Sequence, residues 1–154
     1  MAIGVLALAG TRKGLFVLET NDDRREWQVG GPLLDGWSVY HATVDARDGT
    51  FYAAANHVVY GATVQRSTDG GKTWTRSKKI GLPGWSGLTV NAAWHIEPGL
   101  PQEPGTLYLG ADPGLLFRSD DPANPGSQIV AFWSTPHVIA GFPAPAGCVV
   151  IRSS

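Results

Sequence analysis

The stretch Ser67-Thr68-Asp69-Gly70-Gly71-Lys72-Thr73-Trp74 constrains this 154-residue chain more than any other. It lies between a strand-forming run ending in Val64-Gln65-Arg66 and a second strand start at Thr75. Asp69 offers a short carboxylate that can accept from nearby backbone N–H groups, and Gly70-Gly71 can take positive φ without a Cβ clash. Ser67 can reinforce the turn, and Trp74 is large enough to pin it against a sheet. The pattern S-x-D-x-G-x-x-W therefore predicts a β-hairpin, and through it a chain built from antiparallel strands.

The rest of the sequence fits that reading. Alternating or apolar runs bounded by Gly, Pro, Asn and Asp predict strands over 3–9, 15–19, 27–29, 38–44, 51–55, 58–66, 90–96, 105–111 and 115–119. Gly30-Gly31-Pro32 is expected to break the pattern after the short third strand, and His57 to be a turn residue. No helical period with caps is found. Two segments repeat. Gly49-Thr50-Phe51-Tyr52 returns as Gly105-Thr106-Leu107-Tyr108, 56 positions on, and Gln65-Arg66-Ser67-Thr68-Asp69 as Phe117-Arg118-Ser119-Asp120-Asp121, 52 positions on. Leu6-Ala7-Leu8-Ala9-Gly10, followed by Gly14-Leu15-Phe16, has the same form near the N-terminus. A period in the low fifties, built of four short strands, has the form of a propeller blade.

The register of Ser67, Asp69, Gly71 and Trp74 resembles the Asp-box of bacterial neuraminidase repeats. Over residues 3–121 the chain is similar to the N-terminal part of sialidase-like, or glycosyl-hydrolase-like, Asp-box propellers. The resemblance implies an all-β fold, a partial β-propeller of about two to three four-stranded antiparallel blades over 1–121. It also implies that the box joins outer strands, away from an active site. Two departures qualify it. The third copy has Ala123 where Gly is expected and Gly126 where the aromatic should stand, and from 122 to 151 there is no Asp, Glu, Lys or Arg. Residues 122–154 are therefore expected to be a separate tail, charge-free as far as 151, either a C-terminal extension or an out-of-frame, truncated or disordered segment. The first blade would begin at its second strand, leaving open blade edges through which self-association is expected.

Composition narrows the function classes. Net charge is −1 and charged residues are 16%, so neither nucleic acid nor an anionic membrane is an expected partner. One cysteine, Cys148, permits no internal disulfide and no multi-cysteine metal site. The apolar opening has no basic residues before it and meets Thr11-Arg12-Lys13 at once. It reads as a strand rather than a signal peptide, so a cytoplasmic location is expected.

Candidate chemistry centres on a repeated pair, Tyr40-His41 and Trp94-His95, 54 positions apart. One reading is an aromatic and imidazole lining that stacks on a sugar ring and bonds its hydroxyls. The other packs the aromatics between blades and satisfies the histidines in the core. Packing is the expectation for the aromatics, and both readings stand for His41 and His95. Trp37 and Trp85 sit in Gly-flanked loops ahead of the same strands, suited either to ligand contact or to plugging the space between blades. Two histidines fall short of the three or four ligands a metal needs, and no cofactor is implied.

A sialidase reading wants arginines for the substrate carboxylate, and Arg12 alone has a claim. It is followed by Lys13-Gly14 rather than the Ile-Pro of that family. A Tyr-Glu nucleophile pair is not found. Of the carboxylates Asp35, Asp45, Glu97 and Asp112, Asp45 and Glu97 end repeated strands and read as turn formers. The expected function is a module binding a glycan or a protein at the channel mouth, with no complete catalytic set. The alternatives are a glycoside hydrolase of the exo-α-sialidase kind and a truncated product without function.

Overall fold

The computed structural model describes residues 4–77, 80, 82 and 87–121, with the backbone of 132–133. Among these the regular structure is all β, in three antiparallel sheets, none of them closed. β1 (Val5–Thr11), β2 (Gly14–Thr20) and β3 (Trp27–Leu33) form the first. β4 (Ser38–Val44), β5 (Phe51–His57), β6 (Gly61–Ser67) and β7 (Thr75–Arg76) form the second. β8 (Ala92–Pro98), β9 (Leu107–Asp112), β10 (Leu115–Ser119) and β11 (Phe132–Trp133) form the third. β11 falls in the segment expected to be a tail, where its backbone pairs with Leu115 and Leu116 of β10. The remainder of 122–154 lies outside the described residues.

The sheets pack in series, and the packing repeats. β1 lies against β4 as β5 lies against β8, and β4 also meets β8 directly. β5 explains how one sheet serves two neighbours. Its side chains alternate across the strand, so Ala53 and Ala55 join Leu15 and Val39 in the core shared with the first sheet. Tyr52 and Ala54 join Ile96, Leu109 and Phe117 in the core shared with the third. The three alanines are 0% exposed, and their small size lets a sheet approach on each face. Gly10 serves the same end on β1, since a Cβ there would lie 2.6 Å from the Val39 carbonyl oxygen of β4.

Two expectations about strands are corrected. Gly30-Gly31-Pro32 does not break β3, which runs seven residues to Leu33 with a register shift opposite Leu15 and Val17. Pro32 falls within that register shift, where no residue of β2 pairs with it, so its missing N–H costs no ladder bond. Val58-Val59, β-branched and expected in a strand, form the β5–β6 turn and are 97% and 74% exposed. They face solvent rather than a neighbouring sheet, and His57 Nδ1 accepts the Val59 N–H at 3.1 Å to close the reversal. His57 is thus the last residue of β5 as well as the closure of the turn.

The Ser67–Trp74 hairpin joins β6 to β7 with the bonding its sequence implies. Ser67 Oγ donates to Asp69 Oδ1 at 2.7 Å and accepts the Gly71 N–H at 2.9 Å. Asp69 accepts the Thr73 N–H at 2.9 and 3.0 Å and the Thr73 hydroxyl at 2.6 Å. Trp74 Nε1 donates to the Gly71 carbonyl at 2.9 Å, and its ring packs against the core between the first two sheets. Gly70 and Gly71 take φ of 71° and 88°. The residues that follow β10 in the repeat bond differently. Ser119 Oγ bonds the Asp121 backbone, and Asp120 accepts from Thr106 and Arg118.

Candidate functional site

The antiparallel meanders set the β1–β2, β5–β6 and β9–β10 turns at one end of the molecule, with the starts of β4 and β8. The Asp69 hairpin, one strand further on, lies at the other end. At the first end β4 and β8 carry the same irregularity. Val39 pairs with Ala55 and His41 with Ala54, so Tyr40 is an extra residue. Ala93 pairs with Ala111 and His95 with Gly110, so Trp94 is its counterpart. An extra residue bends a strand and re-aims the side chains around it. The effect is visible in the core, where Val39 is followed by Ala42 and Ala93 by Ile96, three positions on rather than two. Tyr40, His41, Trp94 and His95 all stay off those cores.

Tyr40 is 55% exposed and Trp94 49%, which corrects the expectation that these aromatics pack within the structure. The strand repeat was legible, whereas the extra residue has no residue-type signature. Strict alternation therefore assigns both aromatics to a buried face. The two histidines meet across the seam. Their rings stack with centroids 3.8 Å apart and planes 27° from parallel. His41 Nδ1 accepts the Ile96 N–H at 3.3 Å, and His95 Nε2 lies 3.5 Å from Glu97 Oε2. Burial, and then the neighbouring His95, hold His41 below its ordinary value of 6.5, against a smaller opposite pull from Glu97. Beside this pair Asn56 bonds both backbone groups of Ala93, accepting its N–H at 2.7 Å and donating to its carbonyl at 2.9 Å.

The remaining candidates do not join this group. Trp37 packs against the core between the first two sheets. Its ring lies 5.8 Å from Tyr60, nearly parallel at 14°, and 4.9 Å from His57. Arg76 caps that cluster, 4.0 Å above the Tyr60 ring. Arg12 is exposed in the turn between β1 and β2. Trp85 lies outside the described residues. Ser67, Asp69, Gly71 and Trp74 form the hairpin at the opposite end.

Two of the four candidate carboxylates, Asp45 and Asp112, are bonded within the structure. Arg47 grips buried Asp45 with Nε 2.8 Å from Oδ1 and Nη2 2.6 Å from Oδ2, and also donates to the Glu103 and Thr106 carbonyls of the connection between β8 and β9. That contact holds the Asp45 carboxyl below its usual range. Asp112 accepts from Asn91 at 2.6 Å. Among the described residues no three of His, Cys, Asp and Glu are grouped to hold a metal ion, and no helix is long and apolar enough to cross a membrane. Neither protein-family models nor curated proteins give a match to the chain.

Proposed function

We propose that the three sheets are successive blades of a sialidase-like Asp-box propeller segment, and that the segment is a binding module taking a glycan where β4 and β8 begin. One observation carries the reading. The same bulge occurs twice, and each time it leaves a half-exposed aromatic beside a histidine that stacks on its counterpart. Exposed Tyr40 and Trp94 supply flat apolar surface for the C–H face of a sugar ring, and His95 and Glu97 supply polar groups for its hydroxyls. Hydrolysis has less support, because Asp45 and Asp112 are engaged by Arg47 and Asn91, and a glycosidase needs two carboxyl groups flanking one bond. The outer edge of β1 offers a route for self-association by strand addition.

The test is a glycan array probed with the labelled protein, followed by calorimetry on any hit. Trp94→Ala and Tyr40→Ala should each weaken binding roughly tenfold or more, as loss of a stacking platform does. Trp37→Phe should leave affinity unchanged. Binding that survives loss of both exposed aromatics would reject the assignment.

A further inference from the structure

β8 is tied to the second sheet by two side chains of different chemistry, Asn56 of β5 and His41 of β4. Asn56 holds Ala93 through a carboxamide, which does not titrate. Three residues further along β8, His41 Nδ1 accepts the Ile96 N–H. An imidazole nitrogen accepts only while its lone pair is free, so this bond requires the neutral ring with its proton on Nε2. A solvent proton added at Nδ1 occupies that lone pair and makes the nitrogen a donor that faces another donor. It also creates a positive charge in a ring whose centroid is 3.8 Å from that of His95.

We propose that His41 is a proton-operated latch on this seam. Neutral His41 holds Ile96 of β8 to β4. Protonated His41 releases that amide, while Asn56 keeps Ala93 in place, so the seam loosens at the histidine end only. Tyr40 and Trp94 immediately precede the two histidines, and their relative spacing follows the state of the latch. The latch is independent of which ligand, if any, the site takes.

The neighbouring titratable groups leave the histidines as the responsive element. On β8 itself, His95 and Glu97 act on His41, with Glu97 favouring the protonated form and His95 opposing it. β1 carries no titratable side chain. On β2, Glu19 pairs with Leu6, four residues along β1 from the Gly10 that touches Val39. On β5, Tyr52 is bonded to Arg66 of β6, and His57 is held against Trp37, Tyr60 and the Val59 amide. On β9, Tyr108 donates to Glu103 and Asp112 accepts from Asn91. Unfolded, His41 takes its proton near 6.5, whereas in the fold it does so only at lower pH. Burial and the neighbouring His95, which cause that lowering, give a stability contribution that is complete above that value and is lost as pH falls through the folded-state titration.

Amide hydrogen exchange of the full chain, read by NMR and corrected for intrinsic rate, tests the latch. His41 protonation is followed through its own ring signals. Ile96 protection should fall roughly tenfold as His41 titrates, about the worth of one lost hydrogen bond, while Ala93 protection stays constant. In His41→Gln the pH-dependent fall should vanish. Ile96 protection that ignores the His41 titration, that falls in step with Ala93, or that keeps its pH dependence in His41→Gln would overturn the proposal. Should that variant fail to fold, the contrast between Ile96 and Ala93 in the wild-type chain decides alone.

Discussion

Ser67 is where a single buried hydroxyl does two jobs, donating to Asp69 and accepting the N–H of buried Gly71. Ser67→Ala leaves that N–H without its acceptor, and should cost about 1–2 kcal/mol in urea unfolding. Binding at the opposite end should not change. Asp69 is exposed and behaves differently. The Thr73 hydroxyl and N–H, with Ser67, hold its carboxyl well below the usual carboxylate range. A depressed folded-state value gives stability that is present above the ordinary 3.8 and is lost as pH falls below it. Asp69→Asn should therefore flatten the acid limb of unfolding below about pH 4, where the wild-type chain is still losing stability. An unchanged acid limb would remove Asp69 from the stabilising network.

At the scale of the element, β5 is tightly constrained because both of its faces are buried. Ala54 lies between the second and third sheets and is fully buried among Tyr52, Ile96 and Leu109. Ala54→Leu adds volume that neither neighbour can yield cheaply, and should cost about 1–3 kcal/mol by denaturant unfolding. A neutral result would mean that the third sheet does not close on this face. β5 also marks what a sequence discloses. Its extended form was legible in the repeat with 105–111, and the β4 and β10 spans follow directly from their apolar runs. Val58 and Val59 were misassigned because β-branched propensity reports fit to a half-buried pleat, and the turn gives them none. The bulges at Tyr40 and Trp94 were hidden for another reason. They arise from pairing with a neighbouring strand, which no residue type encodes. The histidines were legible as a repeated pair, but their stacking depends on two sheets meeting.

At the scale of the whole molecule, the repeated packing of β1 on β4 and β5 on β8 separates two functions by position. The Asp69 hairpin lies at one end, where Trp74 packs against the core between the first two sheets. The seam between β4 and β8 presents Tyr40, His41, Trp94 and His95 at the other. The proposed binding role depends on this division, since a ligand at the seam has no contact with the hairpin. The tryptophan side chains read it out directly. In a titration with a glycan selected on the array, followed by proton–nitrogen NMR, the Trp94 indole and the His95 ring should shift, while the Trp74 indole, bonded to the Gly71 carbonyl, should not. Shifts centred on Trp74, with Trp94 and His95 unmoved, would contradict the account.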